Sequence, residues 1–117
     1  MRLMLFTLQF FLDRLNSVFN GDISRWNVSQ TTGMDAMFME AASFNGNLAL
    51  WDVSKVKYMH NMFKKAAKFN HDMCEWGRKL SVETDTSKMF KNSACPCGAP
   101  RLEKFPNTQF CACNCTA

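Results

Sequence analysis

The chain has 117 residues, with Lys+Arg 14 against Asp+Glu 10, six Cys, nine Met and eleven Phe, a length suited to one domain. A hydrophobic share of 47% with 21% charged residues excludes wholesale disorder, and three Pro with five Gly exclude collagenous or low-complexity sequence. No apolar run reaches the roughly 18 residues that would span a bilayer, and a formal charge of +4 is a weak bias toward acidic partners that names none.

Residues 1–18 form an N-terminal apolar segment with two readings. Met1-Arg2 followed by Leu3 to Leu12 has the charged and apolar regions of a signal peptide. No small-x-small cleavage site follows it. Alternatively, Leu8, Phe11, Leu12 and Leu15 fall at i, i+3, i+4 and i+7, the stripe of a capping or partial-repeat helix.

From residue 19 the chain repeats itself every 25 residues. Phe19-Asn20-Gly21 recurs as Phe44-Asn45-Gly46 and Phe69-Asn70-His71, and Trp26, Trp51 and Trp76 keep the same spacing. Met34, Met37 and Phe38 match Met59, Met62 and Phe63, while in the third copy Met89-Phe90 arrive two residues late. Within each copy, Ile23 to Val28 or Leu48 to Val53 predicts a short strand. Met34, Met37, Phe38, Ala41 and Ala42 lie at i, i+3, i+4, i+7 and i+8, which predicts a two-turn helix held by its neighbours. Strand, turn and helix at this period predict an α/β fold: a short leucine-rich-repeat-like solenoid of about three copies over residues 19–95, followed by a cysteine-rich C-terminal cap and tail over 96–117. Its expected core is Phe19, Trp26, Met34, Met37, Phe38, Phe44, Trp51, Met59, Met62, Phe63, Phe69, Trp76, Met89 and Phe90.

The run Phe-Asn-x-x-Ile/Leu-x-x-Trp-Asn/Asp-Val-Ser-x-x-x-x-Met-x-x-Met-Phe-x-x-Ala-x-x-Phe-Asn resembles the BspA-like leucine-rich-repeat surface proteins, including the mycoplasma lipoprotein-associated repeat of unknown function. The resemblance covers residues 19–95. Cys74-Glu75-Trp76-Gly77, Cys95-Pro96 and Phe110-Cys111 look like the closing segment of such proteins from microalgae. What the resemblance implies is a secreted or surface-displayed protein used for adhesion or protein interaction.

Cys74, Cys95, Cys97, Cys111, Cys113 and Cys115 are confined to the C-terminal part. An even count beside a terminal repeat points to disulfides and an oxidising compartment. The preferred bridge joins Cys74 to Cys95, across the divergent copy, with Cys97 pairing into the Cys111-Cys113-Cys115 group. Metal binding through these thiolates is the competing reading. It is the weaker one, because structural zinc ligands are usually spaced two to four residues apart and no His lies in the tail.

The other candidate residues favour structure over chemistry. Asn20, Asn45 and Asn70 are expected to form an amide ladder satisfying turn backbone, and the tryptophans a packed column. His60 and His71 have no partnered Ser, Cys or carboxylate at a suggestive spacing. Lys55, Lys57, Lys64, Lys65 and Lys68 are the densest basic run, either a solvated face or a surface for an anionic partner. Asn27-Val28-Ser29 and Asn114-Cys115-Thr116 are glycosylation sequons. The expectation is a noncatalytic extracellular or surface protein that binds a protein or cell-surface component. It is expected to take no cofactor and not to bind nucleic acid. The alternative is a small cysteine-based metal-binding or redox protein.

Overall fold

Whether Met34 to Ala41 forms a helix is decided by where its backbone N–H groups go. In an α-helix each would donate to the carbonyl four residues back. In the computed structural model, which describes residues 16–101, 109–113 and 115, alternate N–H groups leave the segment altogether. Met34, Ala36, Phe38 and Glu40 donate to the carbonyls of Tyr58, His60, Met62 and Lys64 at 2.7–2.9 Å. Between them, Met37, Met39 and Ala41 close tight turns onto the carbonyls three residues back. Ala36 and Glu40 sit at φ 58° and 62°, left-handed values that no right-handed helix admits.

The same backbone recurs further along the chain. Met59, Asn61, Phe63 and Lys65 donate to the carbonyls of Asp85, Ser87, Met89 and Lys91, and Asn61 and Lys65 again have positive φ. Isolated parallel bridges join Gly33 to Tyr58 and Tyr58 to Asp85.

These bonds overturn the expected leucine-rich-repeat-like solenoid. Among the described residues none of the predicted strands or helices of the repeats forms: Ile23 to Val28 is broken by a turn in which Trp26 donates to Ile23, and Met34 to Ala42 is a chain of turns. Among the described residues the one α-helix is α1, Cys74–Lys79, six residues long, with a short 3-10 turn at Asn16–Val18. One antiparallel pair is present, β1 (Cys97–Arg101) with β2 (Gln109–Cys111), in the tail. The whole is a compact globule of 36 × 27 × 21 Å with a radius of gyration of 12.9 Å. The physical reason is that a two-turn helix is marginal alone. Cross-segment hydrogen bonds between turns satisfy the same backbone groups while keeping the same side chains inside.

The expected core residues are placed as follows. Met34, Met37, Phe38, Phe44, Trp51, Met59, Met62, Phe63, Phe69, Trp76, Met89 and Phe90 are all buried, while Phe19 and Trp26 are half-buried and pack against them. Ring contacts link residues 25 apart: Phe19 to Phe44 at 5.9 Å, Phe44 to Phe69 at 6.1 Å, Phe38 to Phe63 at 5.3 Å and Trp51 to Trp76 at 6.3 Å, all near parallel. Phe63 and Phe69, 4.0 Å apart, both meet Phe90, and Phe110 from β2 closes the stack edge-on at 5.5 Å. The indole N–H groups of Trp51 and Trp76 donate to the carbonyls of Ile23 and Leu48.

Gly46 shows what the glycine after Phe-Asn does. A Cβ there would come within 2.9 Å of the Phe44 ring, which folds back over it. At the third corresponding position His71 meets Phe69 edge-on instead, and its Nε2–H donates to the Asn45 carbonyl at 2.7 Å. Of the N-terminal segment, residues 1–15 lie outside the described part. So does the question of whether they form a capping helix or a signal peptide.

Candidate functional site

All six cysteines are in disulfides, Cys74–Cys115, Cys95–Cys111 and Cys97–Cys113. The preferred Cys74–Cys95 bridge is therefore corrected. Cys95 is drawn into the tail by β2, where Cys111 lies 4.8 Å away Cα to Cα, and Cys74 at the start of α1 is met by Cys115. Cys97 does pair into the Cys111-Cys113-Cys115 group, with Cys113. With every sulfur bonded to another, no cysteine is available as a thiolate ligand. Among the described residues no group of three His, Cys, Asp or Glu could hold a metal ion.

A polar surface is built from a recurring local device. The carboxylate of Asp22, Asp52 or Asp85 accepts both the hydroxyl and the backbone N–H of the serine two residues on. Asn27 does the same with Ser29, which occupies the amide oxygen of that exposed sequon. The serine hydroxyl, and then its N–H, hold each of the three aspartates below its ordinary value of 3.8. Asn114, the second sequon, lies outside the described residues.

Between residues 54–58 and 81–85, with Thr32 at one end, runs an open groove of about 630 Å³. Lys55, Lys57, Glu83 and Asp85 line it together with Ser54, Ser81, Thr84 and the exposed phenol of Tyr58. Two lysines and two acidic residues thus share one lining, with no ion pair between them among the described residues. Beneath it Thr84 is buried and its hydroxyl donates to the Val56 carbonyl. The remaining members of the basic run do not join this groove. Lys65 lies 3.9 Å from Glu40, Lys55 also reaches Gln30 at 3.1 Å, Lys64 is half-buried and Lys68 is exposed. The fold therefore splits the run of five lysines and sets part of it against acid groups.

One contact escaped sequence reasoning. His60 Nδ1 lies 2.7 Å from the hydroxyl of Ser87, 27 residues away, and Ser87 in turn lies 2.6 Å from Asp85. The ionised carboxylate can only accept, so Ser87 donates to Asp85 and His60 Nδ1–H donates to Ser87. That order of protons runs opposite to a histidine drawing a proton from a serine nucleophile. The spacing carried no signal because the two residues meet only when the segments 58–64 and 85–91 lie side by side. The amide ladder is visible too: the Asn20 side chain accepts from Asn45 N–H at 3.0 Å, and that of Asn45 from Asn70 N–H at 3.4 Å.

The fold and this surface define a small, turn-built domain closed by three disulfides, of a kind compatible with an extracellular or surface location. Residues 9–98 match the family described as Mycoplasma protein of unknown function, DUF285, and the chain belongs to that family. No curated protein and no solved structure gives a significant match. Among the described residues no helix is long and apolar enough to cross a membrane.

Proposed function

We propose that this is a noncatalytic extracellular or surface protein that binds another protein or a cell-surface component through the groove at residues 54–58 and 81–85. The observation that carries the reading is the groove's composition. An exposed tyrosine sits among charges of both signs and hydroxyls, on a body fixed by packing and covalent bonds. Tyrosine supplies contact area at low entropic cost, and a balanced set of Lys55, Lys57, Glu83 and Asp85 suits a partner that carries both signs. A nucleic acid would be repelled by half of that set, which argues against a polyanion.

The test displays the protein on cells and measures adhesion to immobilised matrix proteins and, in parallel, to heparin. Tyr58→Ser and Lys57→Glu should reduce adhesion to protein several-fold without lowering the display level. Binding to heparin alone, falling steeply with salt, would replace the proposal with a polyanion reading. A native protein found only in a reducing compartment with titratable thiols would overturn it.

A further inference from the structure

The three disulfides differ in how far they lie from water. Cys74 and Cys115 are both buried. Cys111 is buried too, and its partner Cys95 is half-buried, packs against the core and sets its sulfur 3.7 Å from the Phe69 carbonyl. Of the six cysteines Cys113 alone is exposed, and its partner Cys97 is half-buried. The backbone accounts for the difference. The chain leaves β2 through Cys111 in the left-handed conformation, φ 63°, so Cys113 does not continue the strand and stands at the surface between two buried neighbours, Cys111 and Cys115.

Cys97–Cys113 is also the bridge whose opening frees the least chain. Taken singly, it and Cys95–Cys111 each span a sequence separation of 16. With Cys95–Cys111 in place, Cys97 and Cys113 each sit two residues beyond a pair already joined, and Cys115, two residues further on, is bonded to Cys74. The entropy that a cross-link removes from the unfolded chain grows with the loop it closes. A second link across so short a detour therefore adds little to the first, and the body and strand pair are held without it.

We propose that Cys113 is a site of reversible modification by a low-molecular-weight thiol, which attaches there as a mixed disulfide. The thiolate of the small molecule attacks the exposed Cys113 sulfur from the water side, in line with the bond to Cys97. A new S–S bond to Cys113 forms as the old one breaks, and the electron pair of the broken bond leaves on the Cys97 sulfur, which takes up a proton from water. The count of disulfide bonds is unchanged, so the step needs no oxidant or reductant besides the thiol itself. Attack in the other sense needs approach to the half-buried sulfur of Cys97, which sets the direction of exchange. The β1–β2 register keeps Cys97 opposite Cys111, two residues from the modified sulfur. The freed thiolate therefore stays beside the site, and its attack on Cys113 expels the small thiol and restores the original bridge.

Incubation of the oxidised, full-length protein with reduced glutathione, quenched by alkylation at successive times and read by peptide mapping, tests this directly. Glutathione should appear on Cys113 and the alkyl group on Cys97, at least about tenfold faster than at any other cysteine, with tryptophan emission unchanged. Removing free glutathione before the quench should return the Cys97–Cys113 bridge. The double variant Cys97→Ser, Cys113→Ser should take up no glutathione and keep the emission of the wild type. Should that variant misfold, the site-resolved map of the wild type decides by itself. Glutathione on Cys97, or first on Cys74, Cys95, Cys111 or Cys115, overturns the proposal. So does uptake that begins only once urea is added, or uptake that changes tryptophan emission in step.

Discussion

The body, residues 19–95, and the tail that follows it solve the same problem of stability by different means. In the body, rings spaced 25 residues apart stack in columns, and every second N–H of a turn segment is satisfied by the next segment. Among its described residues the tail has one short, irregular strand pair and three disulfides, and Phe110 is set against Phe90 and Trp76. A segment that cannot bury enough apolar surface can still be ordered by cross-links that restrict its unfolded state. Two disulfides join the regions, and one of them bonds Cys95, the last residue of the body, to Cys111. Cys74 opens α1 in the body and is bonded to Cys115 in the tail, while Met73 N–H donates to the Phe110 carbonyl.

The sharpest way to break this comparison is to reduce the protein. In the chain-entropy model the 41-residue separation of Cys74 and Cys115 contributes about 4 kcal/mol. Each 16-residue separation contributes about 3 kcal/mol. Urea unfolding followed by tryptophan fluorescence should show the largest fall in midpoint on adding reductant. An unchanged midpoint would mean that the tail adds nothing to the body.

Next in size is Phe63→Ala. Phe63 is fully buried and its ring meets those of Phe38, Phe69 and Phe90, so truncation should cost about 3–5 kcal/mol. If the oxidised variant unfolded with the wild-type midpoint, the columns would not be what holds the body together.

A smaller effect, of opposite sign, is expected from Ala36→Gly. Ala36 pays the steric cost of a left-handed conformation, and glycine should raise stability by about 1 kcal/mol. Denaturation of the two proteins side by side measures it, and a destabilised variant would show that the Ala36 methyl packs more than its backbone strains.

The smallest effect concerns acid. Asp22, Asp52 and Asp85 have depressed folded values, so what they contribute is fully present above the unfolded value of 3.8 and fades as pH falls through the lower folded values. All three are exposed, and the midpoint should be flat from neutral pH to about 4 and decline only gently below it. A sharp loss above pH 5 would place the sensitive group elsewhere.

The 25-residue spacing of Phe19, Phe44 and Phe69, and of the tryptophans, foretold which residues pack together because burial of large apolar groups depends on side-chain pattern more than on backbone type. The same pattern misled about the backbone. Met34, Met37, Phe38 and Ala41 face inward as a helical stripe would place them, yet they do so from successive tight turns. Periodicity reports which side chains share a side, and a turn chain with left-handed residues at Ala36 and Glu40 can share that arrangement with a helix. Ala36, Glu40 and Lys65 carry no sequence mark of a left-handed conformation, since Gly and Asn are its usual bearers. The groove was half legible: Lys55 and Lys57 stood out as part of a basic run, but Glu83 and Asp85 joined them only through the pairing of Tyr58 with Asp85.

The sequence by itself determined which aromatic and methionine residues pack together, the ladder of Asn20, Asn45 and Asn70, disulfides as the favoured use of the cysteine cluster, and the family. Tertiary structure alone decided three things: turns in place of helix and strand, Cys74 bonded to Cys115, and His60 beside Ser87. The physical reason is common to them. A side chain's preference to be buried or oxidised is a local property of its chemistry. The partner of a backbone N–H, a thiol or an imidazole is fixed only when segments distant in the chain have come into register.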